Sequence, residues 1–430
     1  MKIGIIGAGI SGLTAALRLA QQGHEVHVFH REASLGGLLA TFDFNGVRAE
    51  HFYHFLCRDD AGVFDLCREL GLEREIQFKK ASTGFYYDGA HYPFNCALDL
   101  LRFRPLTFLN RIRFGCFALA AKWRQKWKPL DRLPAKPWLK RWLSPQGYDV
   151  IWKPLLEMKF GNHHAQISAA WVWHRIHRVA RSNGRLGYLN GGTAQLLDAL
   201  TDRLETLGVT IHCNAPVRRI LAENGRVRGF HYADGQEFHC DNVISTVPMQ
   251  VLAGLLPEEH ADYATSLRQI QYIGVVCVLF KLARPVSQHF WLNVHDPDIP
   301  FNGVIEYTNL NLNNRDQGHL VYVPYYVDTQ LPPYTESDAT VIEKSWAALK
   351  KIQPHLQDAD CLDVHVARTS YAQAVCPVNF LEQMPSQHTP LQGLHLLDSI
   401  FLYPEDRTQS GHILRAQSLV KAVDSATLAR

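Results

Sequence analysis

Several features are missing from this 430-residue sequence, and each absence excludes a class of protein. None of the nine cysteines stands in a CxxC pair, which excludes a thioredoxin-like redox motif. No apolar run approaches the roughly 20 residues that a membrane-spanning helix needs. The glycine motif GxGxxG occurs once, so a second nucleotide-binding domain is not expected. The scattered cysteines predict reduced core thiols, and from them we predict a cytoplasmic location.

Acidic residues are almost missing between residues 101 and 143. This segment has twelve Lys or Arg residues and one acid, Asp131, interleaved with Phe, Trp and Leu. The part RIRFGCFALAAKWRQKW predicts a helix with basic and apolar sides. Three interpretations stay open: inward-packed aromatics with solvated charges, a peripheral membrane contact, or a route for an anionic substrate. No nucleic-acid recognition motif accompanies the charge, so no nucleic-acid partner is predicted.

The first part of the chain has the pattern of a dinucleotide-binding unit. The apolar run KIGII predicts a buried strand, and LTAALRLAQQ, with its helical spacing, predicts a helix. Between them lies a glycine motif that consists of Gly7, Ala8, Gly9, Ile10, Ser11 and Gly12. Such glycines allow a tight turn, close approach of a pyrophosphate and close packing of the helix on the strand. The helix N-terminus adds a partial positive charge for the phosphates.

The second strand, EVHVF, is not followed by the acid that usually holds the ribose in such units. His30 stands at that position, and Arg31 and Glu32 come next. We predict that Glu32 or His30 binds a ribose hydroxyl, and loss of ribose recognition is the alternative.

A glycine pair, Gly36 and Gly37, follows the second strand, precedes Leu38 and favours FAD. With this pair the sequence resembles a large family of flavin amine oxidases, protoporphyrinogen oxidases, carotenoid-type desaturases and UDP-galactopyranose mutases. Members carry an acid where this chain has His30, and often an Arg where it has Leu38. The resemblance therefore implies FAD as the cofactor, with two local departures from the family pattern.

The resemblance also implies the architecture. The expected fold is α/β, with a Rossmann-type (GR2-like) FAD-binding domain and a discontinuous mixed α+β substrate domain. The FAD-binding domain would comprise residues 1–78, 190–250 and 390–430. The substrate domain would comprise residues 79–189 and 251–389, with the basic-aromatic segment in a helical insertion at about 97–180. The runs YIGVVCVLFKLA and GHLVYVPYYV are expected in the sheet of that domain.

Later segments extend the resemblance along the chain. The segment from 185 to 220 resembles the family's middle region, which implies a strand that ends at Val217 and whose backbone contacts the adenine. The run NVIST implies a return to the cofactor at Thr246. In GLHLLDSIFLYPEDRTQSGHILRAQ the strand ends at Asp398, the best candidate for a cofactor-binding acid, and Arg407 and Gly411 belong to the following turn. A solvated loop is the alternative for that turn.

Four side chains are predicted beside the flavin or the substrate. In EHFYHF the resemblance implies a flavin contact for His51 and catalytic candidates in Tyr53 and His54. Two core or solvated histidines are the alternative, and no metal site is predicted because further ligands are missing nearby. Lys159 in the run KFG is a third catalytic candidate, with an exposed lysine as the alternative.

The function that the resemblance implies is an FAD-dependent oxidoreductase. Such an enzyme removes a hydride from a hydrophobic or amine-type small molecule to flavin N5. Since the sequence lacks a second GxGxxG, the substrate itself is expected to be the electron donor, with oxygen or a quinone as the acceptor. Transient docking of NAD(P)H, as in the mutase branch of the family, stays open. Two alternatives stay open: a non-redox UDP-sugar mutase that uses reduced FAD, and a non-catalytic FAD-binding protein.

Overall fold

The computed structural model describes residues 1–181, 184–313, 317–405 and 407–428. Along these residues the strands are β1 (Lys2–Ile6), β2 (Glu25–Phe29), β3 (Thr41–Phe44), β4 (Val47–Glu50), β5 (Ile76–Lys80), β6 (Thr83–Tyr87), β7 (Ala90–Pro93), β8 (Arg185–Leu189), β9 (Thr210–His212), β10 (Val217–Glu223), β11 (Arg226–Tyr232), β12 (Gln236–His239), β13 (Asn242–Ser245), β14 (Tyr272–Leu282), β15 (Trp291–Val294), β16 (Gly303–Glu306), β17 (His319–Val327), β18 (Cys361–Ala374) and β19 (Leu394–Leu396). The helices are α1 (Ile10–Gln21), α2 (Ala61–Glu69), α3 (Ala97–Arg102), α4 (Phe108–Trp123), α5 (Lys128–Asp131), α6 (Ala135–Gly147), α7 (Lys153–Phe160), α8 (Ala169–Arg181), α9 (Gly192–Thr206), α10 (Met249–Leu255), α11 (Ala261–Arg268), α12 (Asp338–Ile352), α13 (Phe380–Gln383) and α14 (Gln409–Leu428).

One sheet consists of five parallel strands in the order β19-β13-β1-β2-β9. Its strands are rich in apolar residues, as parallel strands covered by helices require, and Ile3, Ile5 and Val28 are fully buried. The strands come from the beginning, the middle and the last part of the chain. This arrangement confirms the predicted Rossmann-type α/β fold, while the residue numbers of the domain boundaries stay a prediction.

A second sheet has seven strands in the order β18-β14-β17-β16-β15-β6-β7. The two strands expected from the sequence, β14 and β17, are antiparallel neighbours, with Cys277 opposite Pro324. Along β14 the side chains alternate between two cores. Val276 and Val278 pack with helix α12 on one face, and Cys277 packs with the β3–β4 hairpin on the other. Both faces are therefore covered, which explains the continuous apolar run of this strand.

Helices α3 to α8 form an insertion between β7 and β8. A buried carboxylate attaches the insertion to a distant part of the chain, because Asp131 accepts hydrogen bonds from the Tyr403 hydroxyl at 2.6 Å and the Phe380 amide at 3.2 Å. The Ser168 hydroxyl lies 2.6 Å from the same Tyr403 oxygen. Buried networks of this kind fix the relative position of their members. In the part of the chain that the structure describes, no helix is both long enough and apolar enough to cross a membrane.

Two local predictions are wrong. The strand expected to end at Val217 ends earlier, at His212 of β9, because Asn214 takes a left-handed φ of 52° and Pro216 follows it. Val217 instead begins β10. The cysteines are not all core thiols, since turns and outward helix positions expose Cys96, Cys116 and Cys213. The cytoplasmic location inferred from the cysteines stays a prediction.

Candidate functional site

The glycine motif forms the turn between β1 and α1, and its glycines meet different steric needs. Gly7 has a φ of 107°, in the left-handed region that favours glycine. A Cβ on Gly12 would lie 2.0 Å from the Gly7 carbonyl oxygen, so only glycine fits at this contact between helix and turn. For a Cβ on Gly9, the nearest described atom is the Gly36 carbonyl oxygen at 3.9 Å. Gly9 therefore borders open space that a bound group can occupy.

The second glycine pair lies directly against this motif. The Gly36 N–H donates to the Ala8 carbonyl at 2.9 Å, and Gly9 and Gly36 form an isolated parallel bridge. Gly36 and Gly37 have positive φ values of 108° and 59°, and the half-buried Leu38 follows them. The two glycine segments together form one cradle, which we call the glycine cradle.

The N-termini of α1 and α14 meet at the glycine cradle. Ser11 Oγ, in the first turn of α1, lies 2.8 Å from Nδ1 of His412 in the first turn of α14. The Gly411 N–H donates to Thr408 Oγ1 at 2.9 Å. Gln409 holds its side-chain Oε1 in a buried position where no described residue donates to it. Two helix N-termini favour an anion, so this end of the site fits a pyrophosphate, and Gln409 offers an acceptor to a bound group.

The two candidates for ribose binding are placed differently. His30 is buried; its Nδ1 accepts from the Ala8 N–H at 3.4 Å, and its Nε2 donates to the Ser34 carbonyl at 3.1 Å. Burial lowers the pKa of His30, which keeps the ring neutral. Glu32 is exposed and pairs with Arg31 at 2.7 Å. Both nitrogens of His30 are thus used inside the protein, whereas Glu32 has carboxylate oxygens accessible to a ribose.

Two further predicted residues lie beside these loops. The Ala215 N–H donates to the His30 carbonyl at 2.8 Å, and Val217 follows two positions later, near the end of β2. Thr246 Oγ1 lies 3.3 Å from the Gly7 carbonyl oxygen and would be only 2.3 Å from a Cβ on Gly7. Thr246 therefore packs directly against the glycine turn at Gly7 and leaves no room for a side chain there. The cofactor contacts predicted for Val217 and Thr246 stay predictions.

Asp398 is buried and accepts hydrogen bonds from four donors. Its Oδ2 accepts from the Tyr272 hydroxyl at 2.7 Å and from the Met249 N–H at 3.2 Å. Its Oδ1 accepts from the Ile400 N–H at 2.8 Å and from the Ser399 hydroxyl at 3.1 Å. Burial raises the pKa of Asp398. This geometry supports a positioning role for Asp398 in its loop, and the direct cofactor contact stays a prediction.

Tyr326 on β17 brings together three residues predicted from separate parts of the sequence. Its hydroxyl lies 3.4 Å from the Tyr53 hydroxyl and accepts from Arg407 Nη2 at 3.1 Å. The Lys159 ammonium lies 4.1 Å from the centroid of the Tyr326 ring, within the range of a cation–π contact. Sequence reasoning missed Tyr326, because the run VYVPYYV offers three tyrosines of equal local signal.

Tyr326 also borders a cavity of about 340 Å³, within the size range of small-molecule sites. Most of the lining is aromatic or apolar, and it includes Phe160, Ile273, Phe301, Tyr325, Tyr326 and Leu331. Among the described lining residues the only carboxylate is Asp328, which is exposed to solvent. The cavity therefore suits an apolar molecule.

His54 is oriented by a buried carboxylate. Glu50 lies 2.9 Å from His54 Nδ1 and also accepts from the Thr193 N–H, at 3.1 Å, where α9 begins. The Thr193 hydroxyl donates to the Leu39 carbonyl at 3.0 Å, which links this group to the second glycine segment. A carboxylate that accepts from Nδ1 places the proton of a neutral His54 ring on that nitrogen, which leaves Nε2 as the acceptor of the ring.

His51 has a different environment from His54. Its ring stacks on Phe42 with a centroid distance of 4.7 Å, and its Nδ1 lies 3.2 Å from Nε2 of His365. Burial lowers the pKa of both histidines, which favours neutral rings that share one hydrogen bond. The flavin contact predicted for His51 stays a prediction.

The buried histidine at the start of α14 predicts a loss of stability in acid. Burial lowers the pKa of His412 to about 4, below the unfolded value of about 6.5, so the unfolded chain binds the proton first as pH falls. The stabilisation is complete above pH 6.5 and declines toward pH 4, and at pH 4.5 we expect a loss of about 2–3 kcal/mol. We expect urea denaturation to show this loss for the parent protein and a shallower pH dependence for His412→Gln.

The exposed His388 provides the control, because His388→Gln should leave the pH dependence unchanged. The buried carboxyl of Asp398 has a raised pKa, so its contribution to stability grows as pH falls, opposite to that of His412. The quantity to compare is therefore the difference in unfolding free energy between the parent and His412→Gln at each pH. If the difference in unfolding free energy between parent and His412→Gln were the same at every pH, the burial of His412 would be contradicted.

Comparison with known proteins gives consistent likenesses. The profile of the family described as flavin containing amine oxidoreductase matches residues 10–397. A 15-cis-phytoene desaturase of an Oncidium hybrid cultivar is 23% identical, over 98% of this chain and 78% of its own. An oxidoreductase from Methanosarcina mazei has a TM-score of 0.75 at 22% identity, covering 98% of this chain and 100% of its own. A reduced UDP-galactopyranose mutase has a TM-score of 0.77 at 18% identity, covering 99% and 96%. The two structures show a shared fold.

Proposed function

Because the chain belongs to the flavin-containing amine oxidoreductase family, we propose that it binds FAD and removes a hydride from a hydrophobic substrate. One observation carries the proposal: Tyr326 borders the apolar cavity and also contacts Tyr53, Lys159 and Arg407. A cavity with a few converging polar groups is the common form of a small-molecule site. The tyrosine therefore connects the proposed substrate space with the residues expected near the flavin.

The residues present fit FAD. The open space at Gly9 and the N-termini of α1 and α14 suit its pyrophosphate. The accessible carboxylate of Glu32 suits a ribose hydroxyl, and the buried Oε1 of Gln409 suits an N–H donor. When bound, FAD supplies a hydride acceptor at its N5 atom.

The lining of the cavity favours a hydrophobic substrate over a protonated amine, because most of its described residues are aromatic or apolar. An ammonium group that enters such a space loses its hydration and needs a carboxylate or another acceptor in return. The only carboxylate among the described lining residues, Asp328, is exposed to solvent. Among the two substrate types that the sequence implies, we therefore propose the hydrophobic one.

The proposed reaction gives the substrate a new double bond. One C–H bond breaks with both electrons leaving as hydride, and the neighbouring atom loses a proton. His54 is the proposed proton acceptor through Nε2, since Glu50 fixes its tautomer. Burial raises the pKa of Tyr53 well above its usual range, so its hydroxyl keeps its proton and acts as a donor. Oxygen or a quinone is the proposed final electron acceptor.

The test uses the purified full chain with added FAD. We expect visible flavin absorption that stays with the protein on gel filtration. Anaerobic addition of an apolar polyene should bleach this absorption, whereas benzylamine should not. Absence of retained absorption would contradict FAD binding, and bleaching by the amine alone would contradict the substrate class. Isomerisation of UDP-galactopyranose that needs dithionite without consuming it would replace the proposal with the mutase alternative.

A further inference from the structure

Helix α4 carries an apolar stripe on the face that points away from the protein. The stripe consists of Phe108, Leu109, Ile112, Leu119 and Trp123, which recur at helical spacing. All five side chains are exposed, and the exposed fraction reaches 68% for Phe108 and 76% for Trp123. Single exposed apolar residues are ordinary, whereas a contiguous stripe marks an interaction surface. We call these five residues the outward stripe.

The fold of the insertion does not depend on the outward stripe. The opposite face of α4 already packs inward through Phe117 and Ala121, which are buried. The Ala121 carbonyl accepts from Trp173 Nε1 at 3.2 Å and from His177 Nδ1 at 2.9 Å, which attaches α4 to α8. With its inner face occupied, the helix has no partner within the described chain for its outer face.

Positive charge flanks the outward stripe along the chain. Two exposed cations, Arg102 and Arg104, precede α4. The exposed Arg113 lies on α4 and the exposed Lys126 follows it, within a segment that has twelve cations. The single acid of the segment, Asp131, is buried and accepts from Tyr403, so it does not neutralise this surface. Anionic partners are therefore attracted to this face.

We propose that the face of α4 that carries the outward stripe docks on an anionic lipid bilayer. The outward stripe would enter the boundary between headgroups and acyl chains, and the surrounding cations would pair with the headgroup phosphates. A second copy of the chain would bring like charges together at this face, which disfavours self-association. The proposal goes beyond the hydride transfer and does not depend on FAD binding.

Vesicle sedimentation with the full chain tests the proposal. We expect binding to vesicles of phosphatidylcholine with phosphatidylglycerol, weaker binding at high salt, and little binding to phosphatidylcholine alone. The double variant Leu109→Ser with Leu119→Ser should bind anionic vesicles at least about tenfold more weakly. The matched control Leu362→Ser with Leu414→Ser removes two exposed leucines elsewhere and should bind like the parent.

Two further measurements separate docking from other causes. The charge variant Arg104→Gln, Arg113→Gln, Lys126→Gln should lose most of the salt-dependent binding, with an unchanged circular dichroism spectrum. The fluorescence of the parent should shift to the blue on anionic vesicles, and Trp123→Phe should lose this shift. Equal binding by the stripe variant and the parent would overturn the proposal. A dimeric parent and a monomeric stripe variant would also overturn it, because the stripe would then be a contact between two copies of the chain. Duplex RNA that displaces the parent from vesicles, and that the stripe variant binds as tightly as the parent does, would overturn it as well.

Discussion

Alanine at position 9 is expected to weaken FAD binding about 100-fold while the apoprotein folds normally. The nearest described atom to the added Cβ lies 3.9 Å away, so the protein itself has room for it. The methyl group would instead fill the glycine cradle, where the pyrophosphate is proposed to lie. Overpacking costs about 1–3 kcal/mol, and a tenfold change in affinity corresponds to about 1.4 kcal/mol.

Gly12→Ala provides the contrast, because its Cβ would lie 2.0 Å from the Gly7 oxygen and must distort the turn. We expect this variant to lose stability as well as FAD. Gly254→Ala is the neutral control, since no described atom lies within 4 Å of the added Cβ and the residue is helical. Thermal unfolding of the apoproteins and FAD titration followed by absorption distinguish the three. Parent-like FAD affinity in Gly9→Ala would place the pyrophosphate elsewhere.

Asp398→Ala is expected to destabilise the protein by about 3–5 kcal/mol, because two buried donors lose their acceptor at about 1–3 kcal/mol each and a cavity remains. These donors are the Ile400 N–H and the Tyr272 hydroxyl. The Met249 N–H also donates to the Tyr272 oxygen, at 3.1 Å, and keeps that acceptor. Urea denaturation measures the change. Ser399→Ala, which removes one donor and leaves the carboxylate in place, is the matched control and should cost about 1 kcal/mol. Equal losses of stability in Asp398→Ala and Ser399→Ala would show that the Ile400 N–H and the Tyr272 hydroxyl find other acceptors.

The sequence was informative wherever a local steric requirement has a local signature. Gly7 and Gly12 could be predicted because a tight turn between a strand and a helix demands glycine at those positions. The bounds of β1 and β2 agree with the runs KIGII and EVHVF, because the strands of a parallel sheet covered by helices must be largely apolar. Val217 shows the limit, since a left-handed residue at Asn214 ended the strand before the apolar pattern did.

The contacts that complete the site could not be predicted from the sequence, because they join residues that are far apart in it. Nothing near His30 indicates that the Ala8 amide and the Ser34 carbonyl occupy its two ring nitrogens. Similarly, the contact of Ser11 with His412 depends on how α1 and α14 pack. The position of Tyr326 follows from the register of β17 against β14, which the tyrosine-rich run leaves open.

The strand order of the parallel sheet has a consequence for folding during synthesis. β1 is in the centre of the sheet, yet one of its two neighbours, β13, begins at Asn242, and the outermost strand β19 begins at Leu394. One edge of β1 therefore stays unpaired while more than half of the chain is made, and an open edge invites pairing with other chains. Non-local pairing of this kind also slows folding. We expect nascent chains of this protein to rely on chaperones until their last part has emerged from the ribosome.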